Sequence, residues 1–326
     1  MRPSQRATLS AAVVVTCFLT GGCGPSAIPS PAEVLALLNA LILDPGTSCA
    51  ELRDHYGLHN LPLVNDPGDL GLAFEEDGVP NVLGEQLRVW YIPAAAERGV
   101  VVVSNGSSGA MQCYLHAAWL LTQMGWTVIM YDYTGFGASS GTASLHTLIP
   151  DLTAVTEWAV VRSGRSQVTL LGVSLGTIPS VAVAAERPEW VNAVVLDSPV
   201  ALGDQIERFG VPLRLPVDEI LTSLDPALIT ERTVFRVRQP LIVFLHGHDR
   251  VTTPPQVRKI FARAPGVKEL VEFAGLPHAM GQYLATEQYV NRLEPFLAEV
   301  WGVPPVTWRS TPTWSAHAAD QSARRS

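Results

Sequence analysis

Charge of either sign is scarce in this chain: Asp, Glu, Lys and Arg together make up 16% of its 326 residues, against roughly 25% in an average soluble domain. Basic residues are the rarer kind, 22 against 30 acidic ones, for a net charge of −8. No Lys/Arg run or cluster occurs, which argues against a surface for nucleic acid or anionic lipid. No uninterrupted stretch of about 18 apolar residues is present either, so a polytopic membrane protein is excluded. No repeat of fixed period is visible, and cysteine is limited to 4 residues. What the chain does have is apolar content, 47% of its residues, punctuated by 26 Gly and 25 Pro. That much apolar surface is incompatible with intrinsic disorder and fills either one large α/β domain or two average ones.

The two ends differ from the middle. Arg2 and Arg6 precede an uncharged, mostly apolar run over residues 7–20, followed by Gly21, Gly22 and Cys23. A short positive region, an apolar run of this length and small residues describe an export signal over residues 1–22. The order also resembles the lipobox of bacterial lipoproteins, although Thr20 stands where an aliphatic residue is usual. The resemblance implies lipidation of Cys23 and a cell-envelope location. A plain secretory signal, giving a soluble exported protein, is the alternative. Residues 23–31, rich in Gly, Ser and Pro, read as a tether. If Cys23 carries lipid, the lipid is the chain's sole hold on a membrane. Cys49 and Cys113 then either form one disulfide, which an oxidising compartment permits, or remain buried thiols. Residues 302–326 read as a surface tail in which Trp308 and Trp314 offer docking groups.

Between these ends, strand and helix patterns alternate. Residues 32–43 have helical apolar spacing and stop at Asp44-Pro45-Gly46, opening a helical extension over 32–69. Residues 86–92 alternate and read as a half-exposed strand. Residues 100–104, 127–131, 168–171, 193–196 and 241–245 are continuous apolar runs, as expected of parallel strands covered on both faces. Amphipathic stretches at 114–124, 145–162, 177–187 and 255–264 lie between them, and a strand at 269–273 and a helix at 282–300 close the array. Repeated strand–helix–strand units predict an α/β fold with a doubly wound, mostly parallel sheet over 70–301. Only 199–239 breaks the alternation, and a small helical cap over the carboxyl ends of the strands is expected there.

Gly172-Val173-Ser174-Leu175-Gly176 matches G-x-S-x-G, the sharp strand-to-helix turn that lifts a serine hydroxyl above a sheet. The pattern occurs twice, the second time around Ser139. Ser174 directly follows an apolar strand and opens a helix, whereas Ser139 sits in a Gly-containing loop. Ser174 is therefore the candidate nucleophile. A serine hydroxyl needs a base to take its proton and an acid to orient that base, in chain order Ser, acid, His. His278 stands in the loop between the last strand and the last helix. His55, His59, His116, His146 and His317 fall in segments better suited to surface or packing roles. Two carboxylates end strands, Asp197 and Asp249, and the later one occupies the commoner position for the acid. Oxyanion donors are expected from the amides of Leu175, just after the nucleophile, and Ser107, in the Gly-rich turn after residues 100–104. His246, His248 and Asp249 invite a metal reading, but a fourth ligand at a plausible interval is missing.

Residues 131–141 (YDYTGFGASSG), with LLGVSLGT, HGHDRVTTP and GLPHAMG further on, resemble the α/β-hydrolase superfamily and in particular its monoglyceride-lipase-like and prolyl-oligopeptidase-like members. Asn105 and Thr134 stand where that family usually has His and Arg. The resemblance implies hydrolysis of a small-molecule ester or acyl substrate without a cofactor. Amidase and thioesterase activity, or a binding lipoprotein on a hydrolase fold, are its alternatives, and it says nothing of oligomeric state.

Overall fold

A computed structural model describes residues 31–307 apart from residues 60, 213 and 214. Residues 1–22, expected to be an export signal, lie outside the described residues, as do Cys23 and most of the tail, Trp308 and Trp314 included.

The strands are β1 (Glu75–Pro80), β2 (Gln86–Ile92), β3 (Gly99–Ser104), β4 (Trp126–Tyr131), β5 (Val168–Val173), β6 (Val191–Asp197), β7 (Leu241–His246) and β8 (Lys268–Phe273). The helices are α1 (Pro31–Ile42), α2 (Cys49–His55), α3 (Leu115–Gln123), α4 (Leu148–Ser163), α5 (Thr177–Glu186), α6 (Leu202–Gly210), α7 (Val217–Ser223), α8 (Thr230–Thr233), α9 (Pro254–Arg263), α10 (Gly281–Leu284) and α11 (Thr286–Trp301). The sheet runs β1-β2-β4-β3-β5-β6-β7-β8. Its first two strands are antiparallel to their neighbours and the others parallel.

The continuous apolar runs have the expected cause. In a strand, successive side chains point to opposite faces. Val100 and Val102 enter one apolar layer, with Leu152 of α4 and Ile178 of α5. Val101 and Val103 enter the other, with Leu115 of α3 and Leu293 of α11. With both faces covered, no position in β3 tolerates a polar side chain until Ser104.

Three elements add to or depart from the sequence reading. β1 (EEDGVP) buries only Val79, because it is an antiparallel edge strand that leaves its other side chains in water. α2 lies within the expected helical extension but had no bounds of its own in the sequence reading, although Ser48 and Glu51 form the capping box that starts it. The closing helix is broken at Ala285 (φ −136°) into α10 and α11.

Among the described residues no helix is long and apolar enough to cross a membrane. β3 lies mid-sheet, and the chain winds from it first to β4 and then, on the other side, to β5. A crevice opens where the winding reverses, outside the carboxyl ends of β3 and β5.

Candidate active site

That crevice holds Ser174. The residue has φ +51°, a left-handed conformation that few non-glycine residues adopt. Its neighbours permit the bend. A Cβ on Gly172 would come within 2.5 Å of the Gly176 carbonyl oxygen, and one on Gly176 within 2.1 Å of the Ser104 carbonyl oxygen. Only glycine allows strand, turn and helix to pack so closely. The turn leads into α5, whose first amides have no partner within the helix, and the N–H of Leu175 belongs to this turn.

The structure brings Ser174, His278 and Asp249 into one chain of hydrogen bonds. Ser174 Oγ is 2.8 Å from His278 Nε2, and His278 Nδ1 is 2.7 Å from Asp249 Oδ2. An ionised carboxylate can only accept, so Nδ1 carries the imidazole proton and Nε2 is left to receive one from the serine. Asp249 is held by more than histidine. Its Oδ1 accepts the amides of Val251 and Thr252, each at 2.8 Å, and its Oδ2 accepts the Thr252 hydroxyl at 2.7 Å. Burial by itself would raise its pKa, but the bonds from His278 and Thr252 outweigh burial and hold it below the ordinary carboxylate value.

Asp197, the other acid weighed, lies at the end of β6, fully buried. It is not hydrogen-bonded to His278. Neither of its carboxylate oxygens has a hydrogen-bond partner among the described residues, and His246 Nδ1 stands 3.7 Å away. Burial pushes its pKa up to about 7, with only partial relief from the charge of His278. Beside it, His246 Nε2 accepts the amide of Gly281 at 2.9 Å, and its Nδ1 is 2.9 Å from Ser198 Oγ. Burial brings His246 down to about 4, so it is neutral near pH 7. Ser198, His246 and Thr252 support the site without having been singled out as doing so. Position at a strand end was the sole signal for Ser198 and His246, and Thr252 lies in the loop that carries Asp249.

Ser139 does something else. Its hydroxyl donates to the Asp132 carbonyl (2.7 Å) and accepts the Arg88 amide (2.9 Å), which ties a loop to β2. Thr134 binds Asp151 through both amide and hydroxyl, and Asn81 binds the same carboxylate. Asn105 is buried and donates to the Tyr131 carbonyl.

A cavity of about 210 Å³ opens on Ser174 and His278, with Gly106, Ser107 and Ser108 on one wall. Its cover comes from residues 49–64 of the helical extension. None of the described residues of 199–239 lines it. That interval packs on the flank formed by α5 and α9, because Leu202, Ile206, Leu228 and Ile229 bury into the same apolar layer as Ile178 and Ile260. The expected cap therefore buttresses the sheet's side rather than roofing the site. The extension is fastened to the Gly-rich turn: Asp44 N–H donates to the Ser107 carbonyl at 2.8 Å, Gly109 N–H donates to the Asp44 carbonyl at 2.9 Å, and Cys49 is bonded to Cys113.

A serine at a glycine-flanked turn, at the switch point of a mostly parallel eight-stranded sheet, defines the α/β-hydrolase fold. The chain has that fold. A family model described as serine aminopeptidase, S33 (Hydrolase_4) matches residues 95–228. An uncharacterized protein of Mycobacterium tuberculosis is 29% identical over 223 residues, which cover 66% of this chain and 76% of that one. Human protein ABHD12B is 30% identical over 201 residues, 56% of this chain and 55% of that protein. Among solved structures, the Pyrococcus furiosus esterase Pf2001 superposes with a TM-score of 0.62 at 20% identity, over 74% of this chain and all of that one.

Proposed function

We propose that the protein is an exported serine hydrolase that cleaves carboxylic esters through an acyl-enzyme. The hydrogen-bonded chain Ser174–His278–Asp249 carries this reading. Ser174 Oγ attacks the ester carbonyl as His278 Nε2 takes its proton, and Asp249 steadies the imidazolium that results. The amides of Leu175 and Ser107 receive the oxyanion. Collapse of the tetrahedral intermediate expels the alcohol, protonated by His278. Water, activated by the same histidine, then releases the acid and restores Ser174.

An aminopeptidase-like amidase is the second reading, favoured by the description of the matching family model. Such an enzyme needs an acidic group to meet the substrate's ammonium. No carboxylate is among the described lining residues, and Asp249, behind His278, is already committed to it; this favours the ester. Export and anchoring through Cys23 rest on the order of the first 23 residues. The Cys49–Cys113 bond adds support, since such bonds persist in oxidising compartments.

A fluorophosphonate probe should label the wild type and Ser139→Ala but not Ser174→Ala. In parallel, p-nitrophenyl esters, acyl thioesters and aminoacyl anilides rank the substrate classes. Labelling that survives Ser174→Ala, or preferential turnover of anilides, would overturn the ester-hydrolase reading. In a bacterial host, Cys23→Ser should move the protein from the membrane fraction to the soluble one. An unmodified mature N-terminus at another position would refute the anchor.

A further inference from the structure

The cover of the cavity lies wholly before residue 95, where the family match begins. From it Leu52, Leu58, Leu61 and Val64 face the cavity, with Leu115 and Met280 across from them. Some of the polar groups that share the lining are engaged within the protein, while the side-chain oxygens of Gln112 and Gln282 are buried without a hydrogen-bond partner among the described residues. The Tyr114 hydroxyl donates to the Ser108 carbonyl at 2.8 Å, and His116 Nε2 is 2.9 Å from the Gln282 carbonyl while its ring stacks on Tyr283 at 4.7 Å. Burial lowers the pKa of His116 to about 4, leaving it uncharged near pH 7. Arg53, the one permanently charged residue of the lining, contacts the Leu61 carbonyl (3.4 Å) and Asp54 (3.6 Å), so it braces the cover itself. A ligand therefore meets a mainly apolar space that begins at the nucleophile, with Leu52, Leu58, Leu61, Val64, Leu115 and Met280 as its aliphatic part.

We propose that residues 49–64 are the specificity-determining roof of this site, that it takes the aliphatic acyl chain of the ester, with Leu58 and Leu61 limiting the chain's length, and that the Cys49–Cys113 bond holds it in place. The proposal rests on the ester-hydrolase reading and deepens it. Each methylene buried under the roof contributes roughly a fourfold gain in kcat/KM, so a space of this kind discriminates acyl chains by length. The roof is a short helix and an irregular segment with little core of its own: of its side chains only Leu58 and Val64 are buried hydrophobics. Its position therefore depends on the bond to Cys113 and on the pairing of Asp44 with Ser107 and Gly109.

The test is a p-nitrophenyl ester series from acetate to dodecanoate, run on the mature chain, on Leu61→Trp and on Leu61→Ala. In the wild type, kcat/KM should rise at least tenfold from acetate to its optimum. Leu61→Trp should move that optimum to shorter chains and Leu61→Ala to longer ones. Opposite shifts are a result that general loss of structure does not produce. Reduction with dithiothreitol should lower the octanoate-to-acetate ratio severalfold. An identical profile in all three proteins, with acetate hydrolysed and Ser174 labelled by the fluorophosphonate, overturns the roof and leaves the ester-hydrolase reading standing. An unchanged ratio after verified reduction overturns the role of the disulfide. Absence of both labelling and ester turnover in the wild type defeats the parent reading, and the roof with it.

Discussion

The hydroxyl of Ser198 lies 2.9 Å from His246 Nδ1 and accepts the amide of Ala279 at 3.0 Å, so the residue after His278 hangs from the end of β6. Both ends of that contact are bent into the left-handed region, Ser198 at φ +52° and Ala279 at φ +54°. Strain of this kind persists only where the surroundings over-determine it. Here it aims the histidine loop at Ser174. Ser198→Ala should lower kcat by about 10- to 100-fold, the scale of a misplacement of about 1 Å. The ratio of kcat/KM between acyl chain lengths should stay where it was. A variant of full turnover would remove Ser198 from this positioning role.

The acid can be assigned kinetically. Asp249→Asn should fold and lose turnover by a factor on the order of 10⁴, because the amide no longer selects the right imidazole tautomer. Asp197→Asn should cost far less, since Asp197 makes no hydrogen bond to His278. Steady-state kinetics of the two variants on one ester decide this, and a reversed order would transfer the orienting role to β6.

Asp197 also makes stability depend on pH. Its folded pKa, pushed up to about 7 by burial, stands above the unfolded value of about 3.9. The folded state therefore holds a proton that the unfolded state has released, and stability falls as pH rises from about 4 to about 7. His246 and His116, both brought down to about 4, act in the opposite sense: stability falls as pH drops from about 6.5 toward 4. The contribution of Asp197 is isolated by comparing melting temperatures of wild type and Asp197→Asn between pH 5 and pH 8. The difference should move in favour of the variant as pH rises, by up to a few kcal/mol. A pH-independent difference would mean that Asp197 does not titrate in this range.

The nucleophile turn can be probed through its glycine. A Cβ at Gly176 would meet the Ser104 carbonyl oxygen at 2.1 Å, and backbone cannot rotate away as a side chain can. Gly176→Ala should therefore destabilise by about 1–3 kcal/mol and displace the Leu175 amide enough to reduce activity. Thermal unfolding together with fluorophosphonate labelling rates measures both effects. An alanine variant with wild-type melting and labelling would show that the turn is looser than its geometry.

Much of this protein was legible before folding, for reasons of local physics. A strand covered on both faces must be apolar at every position, so β3 to β7 stand out as uninterrupted runs. The nucleophile turn needs glycine on both sides of Ser174, which leaves a pattern in the chain, and its context separated it from the same pattern around Ser139. His278 follows from its place after a strand, and so do the two acids Asp197 and Asp249, of which the later holds the commoner position. The edge strand β1 was hidden, since a strand with one buried side chain has no period to detect.

Only the tertiary structure decided the rest, because the deciding contacts join residues far apart in sequence. The choice of Asp249 over Asp197 depends on which carboxylate the His278 loop meets. The pairing of Cys49 with Cys113 and of Asp44 with Ser107 and Gly109 brings an N-terminal segment onto a loop more than 50 residues later. The same long-range packing put cover over the site from 49–64 and turned 199–239 against α5 and α9, since amphipathic segments settle wherever a matching apolar face is left open.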